Sequence, residues 1–279
     1  MEKILLSLKA EEVNMQAVEF ACYIAKSTNS TITGVFLENE LVEDVPVRKS
    51  LHGYPFVETI VASDLPGYEE KQKKYSGNIK LFEEACTNRG VRYEVTAKKM
   101  IPSKEIIDES RFADLLILSA ETSFEEKFEG TPTHFAKEVL AEAECPVLLA
   151  PLGFEGIDEI VFAYNATRSS VFAMKQFTYL FPKLENKKIN VLQVSDDADL
   201  TVAEKEKIKG LLKAHYSQIG FTVLEGKAKD ELFGYLLNKK NALVVMGAYG
   251  RNMLSGFFKH STAELVVKAI NLPLFIAHH

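Results

Sequence analysis

Ala242-Leu243-Val244-Val245-Met246-Gly247-Ala248-Tyr249-Gly250, followed by His260-Ser261-Thr262 and Leu272-Pro273-Leu274-Phe275-Ile276-Ala277, decides how this chain is read. Ala242–Met246 is continuously apolar, as a strand buried on both faces would be. Two glycines follow within four residues. Ser261-Thr262 then opens a helical pattern, with Glu264 placed three residues after Ser261 as in a capping box. The apolar run that begins at Pro273 reads as a last strand. Strand, glycine loop, helix start and strand form one α/β unit. Glycines let a backbone approach a ligand closely. A helix start offers hydroxyls and free N–H groups to an anion. The combination suits a phosphate. Gly247 and Gly250 can equally serve a tight turn, and Ser261 a simple N-cap.

Working outward, the same order of segments occurs twice. Leu115–Ala120 parallels Leu243–Ala248, displaced by 128 residues, and Cys145–Ala150 parallels Leu272–Ala277, displaced by 127. Ile4–Lys9 parallels Ile160–Asn165, displaced by 156, so the first half carries an insertion of about 28 residues. Residues 40–67, with Pro46, Gly53, Pro55, Pro66 and Gly67, supply it and are expected to be irregular.

Strands are expected at 3–9, 31–38, 91–97, 114–119 and 146–150, and again at 158–164, 188–195, 221–226, 242–247 and 273–277. Helices are expected at 13–28, 68–89, 103–112 and 132–143, and again at 168–182, 201–219, 230–238 and 261–270. Alternating strands and helices give an α/β fold class: two doubly wound, five-stranded parallel-sheet domains, 1–151 and 154–279. Pro151–Gly156 reads as the linker between them.

Composition narrows the function. Against 33 basic residues stand 39 acidic ones, a net charge of −6, which argues against a nucleic-acid partner. No apolar run approaches the length of a membrane span, and no signal-peptide pattern opens the chain, so a soluble cytoplasmic protein is expected. Cys22, Cys86 and Cys145 show no metal spacing and read as small buried hydrophobes. The six histidines are dispersed and form no metal pattern. No P-loop and no Gly-x-Ser-x-Gly elbow is present. No nucleophile or general base stands out, so no catalytic residue is assigned.

The spacing from Gly247 through Gly250 to Ser261 resembles the nucleotide-binding loop of the universal stress protein family, Gly-x2-Gly-x9-Gly-Ser/Thr. Gly247, Gly250 and Ser261 match, and His260 stands in place of the third glycine. The resemblance covers essentially the whole chain apart from 40–67. It implies an adenine-nucleotide α-hydrolase-like fold, with 146–150 and 273–277 joining the halves as an internal pseudo-dimer. It implies a stress-response binding or regulatory protein that hydrolyses ATP slowly at most. The implied ligand is ATP or a related nucleotide, with Mg²⁺, in the C-terminal half. Asn165 and Ala166 stand where family members place an Asp beside the nucleoside. Arg251, His260, Ser261 and Thr262 would dress the phosphates, with Tyr249, Asn252 and Lys259 nearby. In the N-terminal half Lys9 or Ala10 replaces the Asp, and Glu121, Glu125 and Glu126 replace the glycine loop, which opposes an anion. An unidentified protein partner and a homodimer beyond the pseudo-dimer complete the expectations. The rival reading is a nucleotide-independent interaction module, recognised through the groove or the 40–67 excursion.

Overall fold

A computed structural model describes residues 1–39, 45–51, 54–60, 67–99, 101–195, 201–247 and 271–277. The N-terminal half contributes β1 (Lys3–Lys9), α1 (Met15–Thr28), β2 (Thr31–Glu38), β3 (Val45–Leu51), β4 (Tyr54–Ile60), α2 (Tyr68–Asn88), β5 (Tyr93–Lys99), α3 (Pro102–Ser110), β6 (Leu115–Ser119), α4 (His134–Glu142) and β7 (Val147–Ala150). The C-terminal half contributes β8 (Glu159–Tyr164), α5 (Arg168–Leu180), β9 (Lys188–Ser195), α6 (Val202–Lys213), β10 (Ile219–Glu225), α7 (Ala228–Leu237), β11 (Ala242–Gly247) and β12 (Leu274–Ala277).

Ten strands form one sheet in the order β10-β9-β8-β11-β12-β7-β6-β1-β2-β5. Within each half this is the doubly wound order 3-2-1-4-5, with parallel neighbours. The central strands are apolar throughout because helices cover both their faces: every residue of β6 is buried. The halves meet where β7 and β12 pair antiparallel, Leu148 opposite Phe275 and Val147 opposite Ile276. This is the expected pseudo-dimer junction.

Local signals set the helix starts. Asn14 caps α1 by accepting from the Ala17 N–H at 3.1 Å, and Thr167 caps α5. Thr201 and Glu204 form a reciprocal capping box on α6. One core runs beneath α1, α2, α5 and α6 and crosses the junction without interruption. The opposite face is filled from α3 and α4 in one half and from α7 in the other. The linker belongs to this packing. Phe154 sits edge-on to Phe20 at 4.9 Å and to Tyr23 at 4.7 Å, and Gly153 exchanges two hydrogen bonds of 3.1 Å with Asn271.

Two expectations need correction. Within 40–67 lies an antiparallel ribbon, β3 paired with β4, separate from the main sheet. Pro46 and Pro55 suggested irregular chain, but both strands of a two-stranded ribbon are edges, where proline is tolerated. The helix expected over 201–219 ends at Lys213. His215 and Tyr216 both turn their N–H groups back to the Leu212 carbonyl, at 2.9 and 2.8 Å. Tyr216 then enters the core beside Phe162, so tertiary packing overrides the helical period. The helix expected at 261–270 lies outside the described residues, and among the described residues no helix is long and apolar enough to cross a membrane.

Candidate functional site

In a sheet of this order the crevice opens where the strand order reverses, at the carboxyl ends of the first and fourth strands. In the C-terminal half these are β8 and β11, which are direct neighbours. Asn165 follows β8 and Gly247 ends β11, so the fold brings these two expected residues together. Ala166 follows with a left-handed backbone, φ 59°, and is exposed. That conformation is costly for alanine and turns the chain sharply into α5. The half-buried Asn165 accepts the Thr167 hydroxyl at 2.8 Å through its side-chain oxygen. Its amide nitrogen can only donate. Thr167 in turn takes the Ser170 N–H at 3.4 Å, while Ser170 donates its hydroxyl to the Thr167 carbonyl at 2.9 Å. The start of α5 is thereby held rigidly over the strand ends.

Gly247 has a structural reason to be glycine. A Cβ there would lie 2.3 Å from the Ser169 carbonyl carbon and 2.6 Å from the Ser170 nitrogen. The first turn of α5 rests on the end of β11. Of the other expected site residues, Gly250, Arg251, His260, Ser261 and Thr262 lie outside the described residues. Beside the crevice, Tyr164 donates to Glu204 at 3.4 Å. Burial pushes its phenol above the ordinary range, and the Glu204 carboxylate adds to this. A hydrogen bond from the Thr201 hydroxyl, with one from the Thr201 backbone, holds Glu204 below the usual carboxylate range.

The corresponding place in the N-terminal half is taken up by the chain itself. Lys9 stands over the Phe124 ring at 6.0 Å, and the Ala10 carbonyl accepts from Asn78 at 2.8 Å. Phe124 packs edge-on against Phe135, with ring centres 4.9 Å apart. Thr133 occupies the repeat position of Ser261, at the same displacement of 128 that relates Leu115 to Leu243. It caps α4 by accepting from the Ala136 N–H at 3.2 Å. The next amide, that of His134, donates to the Glu129 carboxylate at 2.8 Å. The other oxygen of Glu129 accepts the Ser123 hydroxyl. An internal carboxylate thus sits at the helix start, where the dipole and free N–H groups favour negative charge.

Glu129 escaped the sequence reading, which pointed to Glu121, Glu125 and Glu126. Those three are exposed, and Glu129 alone among them is half-buried. Its role depends on how the loop folds back, and no spacing rule announces it. Replacing Glu129 by Gln is expected to cost about 1 kcal/mol through the weakened charge–dipole contact. A urea unfolding midpoint equal to wild type would count against that contact. A separate cavity of about 60 Å³ lies near the junction of the halves, lined by Leu149, Leu152, Phe233, Met246 and Leu272 among others. Ser119, Glu121, Thr131 and Asn271 add polar groups to its mainly apolar lining, which does not include Asn165 or Gly247.

No family model matches this sequence, and no curated protein matches it significantly. Solved structures do match in fold. A universal stress protein from Archaeoglobus fulgidus superposes with a TM-score of 0.69 at 16% identity, over 99% of this chain and 98% of its own. A structure from Pseudomonas aeruginosa assigned to the universal stress proteins gives 0.63 at 14% identity, over 100% and 93%. A functionally unknown protein from the same species gives 0.59 at 15%, over 100% and 92%. The chain therefore shares the fold of these structures along its whole length.

Proposed function

We propose that the chain is a tandem universal stress protein, a binding or regulatory protein of the stress response whose C-terminal half alone takes ATP or a related nucleotide. The observation that carries this reading is the contrast between the two switch points. In one, Asn165 presents amide donors beside Gly247; in the other, Glu129 already supplies the anion at the helix start. Asn165 and the Ala166 turn would face the nucleoside. Gly250, Arg251, His260, Ser261 and Thr262 would hold the phosphates and their Mg²⁺, as the family spacing implies. The whole-chain fold match supports the assignment.

Calorimetric titration with ATP and Mg²⁺ is expected to give no more than one nucleotide per chain. Two equivalent sites would overturn the asymmetry. Gly250→Val is expected to abolish binding, because a β-branched side chain would obstruct the loop's approach. His260→Gly, which restores the family spacing, is expected to tighten it; weaker binding would make His260 a phosphate donor instead. Absence of any response to ATP in wild type and in His260→Gly would favour the rival interaction module. The β3–β4 ribbon, set apart from the main sheet with Tyr54 79% exposed, is the feature that would serve such a module.

A further inference from the structure

Cys22 and Cys86 lie 64 positions apart in sequence, yet their sulfurs meet at 3.8 Å across the seam between α1 and α2. Both are buried and neither is bridged. Three residues from each cysteine, the seam reaches the surface at an ion pair between Arg89, the residue that ends α2, and the exposed Glu19 at 2.8 Å. We propose that Cys22 and Cys86 are a reversible dithiol–disulfide pair, oxidised by a small peroxide and closing covalently across the α1–α2 seam.

Geometry favours closure over any other outcome of oxidation. The sulfurs need to approach by roughly 1.8 Å to reach bonding distance. The α2 side of the seam buries few residues: of its 21, Phe82, Ala85 and Cys86 among those described. The exposed Arg89–Glu19 pair adds little resistance to opening. Either sulfur can donate to the other across this contact, so one attacks as the thiolate and its neighbour resolves.

The chemistry balances. One sulfur of the pair attacks one peroxide oxygen, an S–O bond forms, the O–O bond breaks, and the departing oxygen leaves as water after protonation. The other sulfur then attacks the oxidised one, the S–S bond forms, the S–O bond breaks, and a second water leaves. Both sulfurs are oxidised by two electrons in total, and hydrogen peroxide is reduced. Cys145 provides the internal control, since it lies in the core on the opposite face of the sheet from Cys22 and Cys86.

The test uses the full, reduced chain. It is treated with a small excess of hydrogen peroxide, quenched, denatured and alkylated, and its mass and peptides are read. Alkylatable thiols are expected to fall from the three in the sequence to one, Cys145, with a peptide joining Cys22 to Cys86 and recovery on adding dithiothreitol. In Cys86→Ala, the oxidation is expected to stop at a Cys22 sulfenic acid that a dimedone-type probe captures. Three alkylatable thiols after peroxide, oxygen added to either sulfur of the pair instead of a bridge, or a bridge through Cys145 would each overturn the proposal.

Discussion

Gly247→Val lowers stability by at least about 3 kcal/mol, the upper range for forcing atoms into a filled space. Even the Cβ alone would stand 2.4 Å from the Ser169 carbonyl oxygen. The obstacle is backbone, so no side-chain rotation relieves it. Either the first turn of α5 lifts or the end of β11 shifts. β11 cannot shift freely, because it pairs with β8 on one side and β12 on the other. Lifting α5 strains the Thr167 cap and the Ala166 turn that position Asn165. Urea unfolding of the variant should show the loss directly. A midpoint within experimental error of wild type would mean that α5 does not rest on β11.

Loss of nucleotide binding in a Gly247 variant would follow from a displaced α5 even if no phosphate ever approached Gly247. Gly250→Val is the cleaner probe of the loop, provided its stability is measured alongside.

The sheet was legible in the sequence because its strands are apolar throughout and recur in order. Leu115–Leu118 and Leu243–Val245 are buried as such a pattern requires. What was not legible depended on contacts between distant residues. Pro46 and Pro55 mark a loop in most contexts, and only pairing as edges makes them strand residues. Tyr216 continues a helical period in sequence but belongs to the core in space. Glu129 and the Cys22–Cys86 contact follow no spacing rule, because each arises where two segments converge. At the candidate site, Asn165, Ala166 and Gly247 fell together because each ends or follows a strand of recognised type.

The junction of the halves carries the other large expected effect. Residues 1–151 and 154–279, produced separately, are expected to be insoluble or to self-associate. Val147, Leu148, Phe275, Ile276 and Ala277 are buried where β7 meets β12. Cutting the chain there gives each fragment an unpaired apolar edge, the kind of surface that templates aggregation. The continuous core beneath α1 and α5 would be opened as well, and Phe154 would lose the Phe20 and Tyr23 rings it packs against. Because β7 and β12 meet antiparallel at equivalent repeat positions, each fragment can satisfy its edge with a second copy of itself. Mixed fragments should instead prefer each other, since the native junction also seats the linker. Sedimentation at micromolar concentration distinguishes these cases. Two monomeric, folded fragments with no mutual affinity would show that the junction contributes little, and that each half is a self-sufficient sheet.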